Sequence, residues 1–343
     1  MLYFMNQHND VKRCNFNELK HRATNLTNWF CPIHRHVYIA RHDGTLMSGT
    51  CNEIKFSGPK NPWWLLDNLD VDRSEDYYCK FKRGICACGS DMLVPKGRNK
   101  DIFNKFLELL RAADLNNLRS GIDDEDIVIA FGHPYIIDSN HLELVLDWGK
   151  KCNFDCSYCP PSVHDNHSPF RSIDDVKRLF SLLEIESIQG KKELVITGGE
   201  PTLAKTLPEL IEVCQTEYVF DKIRINTNGT ANKKLYHQLI DNGVIIVVTL
   251  HPEFINEKIL TKLIELTCEL HNNDQKDYIR YKCMGDEMSE FSQWVEKSFN
   301  EVFTEDKIFI EHTPIYIRGI HKIENSIDMV KEITKSVKEY QKK

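Results

Sequence analysis

Short apolar runs, most of them rich in β-branched residues, recur through the C-terminal two-thirds of the sequence. Runs of this kind are typical of strands buried inside a parallel sheet. They predict six strands, at residues 142–147, 193–197, 223–226, 244–250, 278–284 and 307–311.

Segments with helical periodicity separate these strands. Ser172 with Asp175 predicts the start of one helix, and Thr206 with Glu209 forms a capping-box pattern at the start of the next. Further helices are predicted at 233–241, 256–270 and 288–299. Strands that alternate with helices imply a parallel sheet with right-handed crossovers. We therefore predict an α/β fold, a partial (β/α)6 TIM-like barrel over residues 139–343, left open because eight units would be needed to close it.

The N-terminal part has a different pattern. Asp43-Gly44 lies between apolar segments 36–40 and 45–50 and predicts a β-hairpin. We expect residues 1–100 to form a small cysteine-rich β-hairpin domain. Residues 101–138 are expected to be a helical connector with a helix at 101–114, and the acidic run 123–126 is expected to be solvated.

Composition narrows the class of protein. The chain has 343 residues, of which 41% are hydrophobic and 28% charged, as in ordinary globular proteins, and its length predicts about two domains. No apolar stretch approaches the ~18 residues of a membrane span, and no secretory signal is recognised, so we expect a cytoplasmic protein without a membrane partner. The formal charge of −7 disfavours nucleic acid as a partner.

The cysteines are the main candidates for chemistry. Three of the twelve, Cys152, Cys156 and Cys159, have C-x3-C-x2-C spacing directly after the first predicted strand of the sheet. A [4Fe–4S] cluster is usually bound by four cysteines, so three on one loop would leave one iron open. The spacing alone leaves a Cys3His zinc site open, completed by His164 or His167.

Two further motifs follow in order. Gly198-Gly199-Glu200-Pro201 follows the second predicted strand, and Asn226-Thr227-Asn228-Gly229 follows the third. With the cysteine motif and its aromatic Tyr158, they resemble the radical SAM superfamily over roughly residues 140–315.

The resemblance implies that the cysteine motif binds a [4Fe–4S] cluster and that S-adenosylmethionine chelates its open iron. Reductive cleavage would then give methionine and a 5′-deoxyadenosyl radical, which abstracts hydrogen from the substrate. The electron would come from a flavodoxin- or ferredoxin-type reductant. The cofactor-binding residues expected from the resemblance are Tyr158, Gly198, Gly199, Glu200, Asn226, Asn228, Thr249 and His251.

A second group of cysteines brackets the predicted hairpin and continues beyond it. It resembles the twitch or SPASM modules that hold an auxiliary [4Fe–4S] cluster, although such modules normally follow the barrel and space their later cysteines differently. The candidate ligands, with one spare, are Cys31, Cys51, Cys79, Cys86 and Cys88.

Such a module would suit the oxidation or cross-linking of a peptide or small-molecule substrate, with the auxiliary cluster relaying an electron. A zinc module remains an alternative for the N-terminal group. For the whole protein, the alternative is a non-catalytic zinc or iron–sulfur protein, including an electron-transfer partner.

Overall fold

The structure is a computed structural model. It describes residues 2–15, 18–19, 26–32, 36–48, 54–67, 69, 77–79, 94–133, 141–159, 164–285, 287–304 and 308–313. The chain divides into two compact units. The N-terminal unit comprises Met1–Val145, Asp174–Glu193 and Tyr218–Asp221, and the C-terminal unit comprises Leu146–Ile173, Leu194–Glu217 and Lys222–Lys343.

A four-stranded sheet forms one core of the N-terminal unit. Its strands, in the order β2-β1-β7-β6, are β1 (Leu2–Asn6), β2 (Val11–Cys14), β6 (Lys96–Gly97) and β7 (Val128–Gly132). Side chains of β1 alternate between two apolar clusters, as the period of a strand requires. Leu2 and Phe4 join one cluster, whereas Tyr3 and Met5 pack with Phe106 of helix α1 (Lys100–Ala112).

The predicted hairpin is present in the same unit. Strands β3 (Val37–Ala40) and β4 (Leu46–Ser48) pair in antiparallel register, and β5 (Ile54–Lys55) pairs with β4. Gly44 has φ of 91°, which the turn requires and which glycine adopts without steric cost. Helix α2 (Ile173–Leu182) begins where the sequence predicts, and residues 174–182 of it belong to this unit.

Alternating strands and helices form the C-terminal unit, so the predicted α/β class is confirmed. The strands are β8 (Leu142–Asp147), β9 (Lys192–Thr197), β10 (Lys222–Thr227), β11 (Ile245–Leu250), β12 (Ile279–Met284) and β13 (Ile310–Thr313), of which β8 and β9 begin in the N-terminal unit. Strands β10 to β13 are neighbours in parallel register. The helices are α3 (Leu207–Thr216), α4 (Lys233–Asp241), α5 (Glu257–Asn272) and α6 (Glu290–Asn300). Among the described residues, no strand pairing closes the sheet into a barrel.

Helix starts in this unit depend on side-chain caps, with one exception. The side chains of Asn232, Asn256 and Ser289 each accept a backbone N–H from the first turn of α4, α5 and α6. The predicted capping box at Thr206 is wrong, because the Thr206 side chain makes no cap hydrogen bond. Its φ and ψ of −87° and 4° are not those of an N-cap, and Pro208 in the first turn has no N–H to donate.

Other details differ from the sequence-based expectation. Strands β1, β2 and β7 were not predicted. The described residues of β13 are Ile310–Thr313, and the start predicted at 307 lies outside the described residues. The acidic run at 123–126 is not wholly solvated, because Asp126 is buried and accepts hydrogen bonds from Lys12 and Asn6. No helix in the described parts of the chain is long and apolar enough to span a membrane.

Candidate functional site

Four loops of the C-terminal unit carry the candidate site, and each follows the end of a strand. The loop after β8 holds Cys152, Cys156 and Cys159, and Gly198 directly follows β9. Asn228 directly follows β10, and His251 directly follows β11. Ligands bind at this end of the strands in α/β folds, so the sequence motifs occupy the expected edge of the sheet.

Backbone hydrogen bonds hold the loop after β8 against the one after β9. The N–H of Gly199 donates to the carbonyl of Gly149 at 2.7 Å, and the N–H of Glu200 donates to that of Lys151 at 2.7 Å. A Cβ at Gly199 would clash with the carbonyls of Lys150 and Lys151. Gly198 has φ of 130° and no room for a Cβ beside the Gly149 carbonyl. The two glycines are therefore needed for contact between these loops.

Glu200 ties the loop after β9 to the one after β10. Its side chain has no exposed surface, and one carboxylate oxygen accepts hydrogen bonds from the N–H and hydroxyl of Thr202 and from the hydroxyl of Thr227. The other oxygen accepts the N–H of Asn228 at 2.5 Å. Burial raises the pKa of Glu200, against the lowering effect of these four donors. The carboxylate thus positions these two loops, and its contact with the cofactor stays a prediction.

The loop after β10 in turn contacts the cysteine loop. Asn228 Nδ2 donates to Asn153 Oδ1 at 2.8 Å and lies 3.9 Å from Cys152 Sγ. The backbone N–H of Phe154 also points at Cys152 Sγ, at 3.4 Å. Donors directed at a sulfur favour its thiolate form and adjust the potential of an iron–sulfur cluster. Asn228 is therefore positioned to act on the cluster side of the site.

His251 and Tyr158 form a pair beside Cys156. Their rings stack with centroids 6.0 Å apart, and Tyr158 OH lies 2.7 Å from His251 Nδ1. The same nitrogen is 3.6 Å from Cys156 Sγ. Burial lowers the pKa of His251 to about 4, so the imidazole is neutral near pH 7.

Glu253 is a site residue that the sequence analysis missed. One of its carboxylate oxygens accepts the N–H of Ser157 at 2.9 Å and the other accepts the Ser157 hydroxyl. Ser157 lies between Cys156 and Cys159, so this contact fixes the middle of the cysteine loop. The available signal was the position of Glu253 two residues after His251, at the exit of β11.

The three thiols are partly or fully buried, and burial raises the pKa of each, for Cys156 to about 12. They are therefore protonated near pH 7 unless a metal supplies positive charge, and metal binding must release their protons. In the described parts of the chain, no three His, Cys, Asp or Glu side chains converge as ligands of one metal ion. A [4Fe–4S] cluster does not require the three side chains to converge on one metal ion, because each thiolate would bind a different iron. The donor set of one loop with three cysteines fits such a cluster.

Two predicted cofactor-binding residues lie apart from these contacts. Asn226 pairs in register with Val247, and Thr249 pairs with Lys282, each within the sheet rather than in a loop. Both side chains are half-buried. The zinc alternative gains no ligand from His167, which is 79% exposed, while His164 contacts Asp155 at 2.9 Å.

In the N-terminal unit, two of the five candidate cysteines are described. The N–H of Cys31 donates to Tyr77 at 3.0 Å, and that of Cys79 donates to Trp29 at 2.8 Å, across the antiparallel bridge between Phe30 and Tyr78. Side chains alternate across such a ladder, so Cys31 and Cys79 share the face opposite the Phe30–Tyr78 ring contact. As diagonal neighbours their Cα atoms are about 7–8 Å apart, and neither forms a disulfide. The other three candidates, at 51, 86 and 88, lie outside the described residues.

Fold and site together define a class of protein. Residues 147–274 match the family described as the Radical SAM superfamily. The family prediction is thereby confirmed, together with the [4Fe–4S] cluster and S-adenosylmethionine that the family uses. A twitch or SPASM module remains a prediction.

Individual relatives match only part of the chain. The chain is 32% identical over 96 residues to a GTP 3′,8-cyclase of Tolumonas auensis, which is 27% of this chain and 27% of that protein. It is 28% identical over 116 residues to the molybdenum cofactor biosynthesis protein moc-5 of Caenorhabditis elegans, 33% of this chain and 19% of that protein. Both matches therefore span under a third of the relative. Among solved structures, Streptococcus suis SuiB bound to the precursor peptide SuiA has TM-score 0.41 and 18% identity, covering 93% of this chain and 70% of that one.

Proposed function

We propose that this protein is an enzyme that cleaves S-adenosylmethionine reductively and abstracts hydrogen from its substrate. When bound, the cluster and S-adenosylmethionine supply a 5′-deoxyadenosyl radical, at the cost of one electron from a flavodoxin- or ferredoxin-type reductant. The hydrogen atom of a substrate C–H bond would end in 5′-deoxyadenosine, and the substrate would be left as a radical. The observation that carries this proposal is the cysteine loop, held in place by the loops after β9, β10 and β11.

The residues of this chain contribute binding and orientation. Cys152, Cys156 and Cys159 hold the cluster, and Gly198 and Gly199 let the loop after β9 lie against the cysteine loop. Asn228 directs an N–H at Cys152. Tyr158 and the neutral His251 present an aromatic face beside Cys156 for the adenosyl group. Asn226 and Thr249 are polar groups one residue before the ends of β10 and β11, and they would contact its ribose.

We further propose that an auxiliary [4Fe–4S] cluster is held by Cys31 and Cys79 with two of Cys51, Cys86 and Cys88. The placement of Cys31 and Cys79 on one face of a bridge supports this. Such a cluster would accept the electron left on the substrate radical, so that the overall reaction is an oxidation or a cross-link. A zinc site in this unit remains the competing assignment.

The substrate is a peptide or a small molecule. The relatives named GTP 3′,8-cyclase add a nucleotide to the candidates, but the match covers only 27% of this chain, so it does not carry their substrate over to it. The alternative to an enzyme is a zinc or iron–sulfur protein that transfers electrons without turning over S-adenosylmethionine.

The test is anaerobic reconstitution with iron and sulfide, followed by dithionite and S-adenosylmethionine, with 5′-deoxyadenosine measured by mass spectrometry. We expect 5′-deoxyadenosine from the wild type and about eight irons per chain if both clusters form. Zinc without acid-labile sulfide would favour the binding-protein alternative. A reversible redox signal without 5′-deoxyadenosine would favour the electron-transfer alternative.

A further inference from the structure

The open face of the C-terminal sheet carries two cations on a single strand. Helices cover the other face: Tyr281 on β12 donates to or accepts from Thr267 of α5 at 2.7 Å and packs against Phe299 of α6, and Cys283 contacts Ser292 of α6. Since side chains alternate along a strand, Arg280 and Lys282 point to the face without these helices. The Arg280 side chain is exposed, and that of Lys282 is partly buried, with 34% of its surface exposed.

Charged side chains are unusual on an inner strand of a parallel sheet, where Arg280 and Lys282 lie. β12 lies between β11 and β13, and inner strands of parallel sheets are normally apolar on both faces. Arg280 and Lys282 are two residues apart, so their Cα atoms are about 7 Å apart on one face. Lys282 forms an ion pair with Glu311 at 3.3 Å, but within the described residues Arg280 has no hydrogen bond or ion pair. Two cations so close, with one carboxylate paired to Lys282, leave a local positive charge at Arg280.

The register places this charge beside the candidate cofactor residues. Lys282 is the direct neighbour of Thr249, and Arg280 lies in one row with Val247 and Asn226. Neighbouring strands are about 4.8 Å apart, so Arg280 is about 10 Å from Asn226 along the row. A group bound by Arg280 would therefore belong to a molecule that reaches the adenosyl side of the site.

We propose that Arg280 and Lys282 form a subsite for an oxyanion of the substrate, a phosphate or a carboxylate. This rests on the proposed function, since it takes the open face of the sheet as the substrate side. Arg280 presents its guanidinium fork to two oxygens of the anion, a geometry that suits both groups. Glu311 orients Lys282 and keeps the subsite selective, because it repels anions that approach from β13. The substrate is thus acidic, and a neutral molecule leaves Arg280 uncompensated.

The experiment measures anion binding separately from S-adenosylmethionine chemistry. Sodium tripolyphosphate and citrate are titrated by calorimetry into the reconstituted protein, and the dissociation constant of S-adenosylmethionine is measured in parallel. The variants are Arg280→Gln, Lys282→Gln and Arg280→Lys, with Lys297→Gln, a 76% exposed lysine of α6, as the matched control. Thermal melting checks that each variant is folded.

We expect the wild type to bind one of the probes, Arg280→Gln to bind it about tenfold more weakly, and Lys297→Gln to bind it unchanged. Arg280→Lys should recover part of the affinity. A preference for tripolyphosphate identifies a phosphate-bearing substrate, and a preference for citrate a carboxylate-bearing one. Binding of neither probe, or equal binding by Arg280→Gln, overturns the proposal.

A parallel loss of S-adenosylmethionine affinity in Arg280→Gln would also overturn it, because Arg280 would then serve the cofactor. The proposed function fails in a distinguishable way, since 5′-deoxyadenosine would then be absent from the wild type whatever the anion titration shows.

Discussion

The two cysteine regions of this protein are built on different principles. In the C-terminal unit, three cysteines lie within one short loop, and side chains from neighbouring loops fix it: Asn228 at Cys152 and Glu253 at Ser157. In the N-terminal unit, Cys31 and Cys79 are distant in sequence, and the backbone pairing around Phe30 and Tyr78 makes them diagonal neighbours that pack against different apolar clusters.

The difference predicts how each region tolerates change. A loop that supplies three ligands keeps its shape through contacts made outside the cysteines, so a cysteine variant should lose the cluster and keep the fold. A site assembled from distant segments depends on the pairing itself. In that region, a cysteine variant should lose the cluster without unfolding only if that cysteine contributes little to packing.

The largest effect is expected from Cys156→Ala. Without this ligand the cysteine loop cannot hold its cluster, so 5′-deoxyadenosine formation should fall to the assay background and bound iron should drop by about four per chain. Mass spectrometry and iron analysis measure both. Cys214→Ala, a buried cysteine of α3, is the matched control and should keep both. Activity surviving in Cys156→Ala would mean that the loop is not the site of cleavage.

Cys79→Ala tests the N-terminal cysteine region. We expect it to lose a similar amount of iron while 5′-deoxyadenosine formation with dithionite stays near the wild-type level, because the cysteine loop is intact. Cys14→Ala, a buried cysteine of the same unit, should lose no iron. If Cys79→Ala kept its full iron content, or abolished cleavage outright, the two regions would not hold separate clusters.

The sequence predicted the C-terminal unit more fully than the N-terminal one. Strands such as β11 have apolar runs that parallel pairing requires, and the motifs at Gly198 and Asn228 follow strands directly, so local pattern was enough. Strand β7 escaped prediction because its partner is distant in sequence: Phe131 pairs with Phe4. Strands β1 and β2, which pair with each other, were missed as well. Register of this kind is set by tertiary packing, which short-range pattern does not contain.

Prediction of the candidate site from the sequence was limited for the same reason. Cys152, Cys156 and Cys159 are identified by spacing, and Glu200 by its motif. That Glu200 is saturated by donors from Thr202, Thr227 and Asn228 follows only from the packing of two loops. Glu253 belongs to no motif, and its contact with Ser157 spans 96 positions of sequence.

Glu253→Ala tests whether contacts outside the cysteines hold the loop. Loss of a charged acceptor to the Ser157 N–H costs about 1.5–3 kcal/mol of loop stability, which corresponds to at least a tenfold faster loss of iron to a chelator. Glu253→Gln keeps an acceptor and should recover part of the difference. Glu212→Ala, an exposed residue of α3, is the control. Equal iron loss in Glu253→Ala and wild type would assign the loop's shape to its backbone alone.

The smallest effect concerns the stability of the N-terminal unit. Asp126 is 8% exposed, and burial disfavours its charge, but hydrogen bonds from Lys12 and Asn6 outweigh burial and lower its pKa. Since the folded pKa lies below the unfolded value of about 3.9, the ion pair stabilises the unit fully above about pH 4. The stabilisation is lost as the pH falls through the folded pKa.

Asp126→Asn should therefore cost about 1–3 kcal/mol at pH 7, measured by hydrogen exchange of the amides in β1 and β7. The difference from wild type should shrink as the pH falls below 4, because protonation removes the same charge. Glu108→Gln, an exposed residue of α1, should change neither value. If the loss of stability in Asp126→Asn stayed constant with pH, the contact between β2 and the segment before β7 would depend on packing and not on the charge of Asp126. Exchange in the C-terminal unit should be unaffected throughout, because Lys12 and Asp126 both belong to the N-terminal unit.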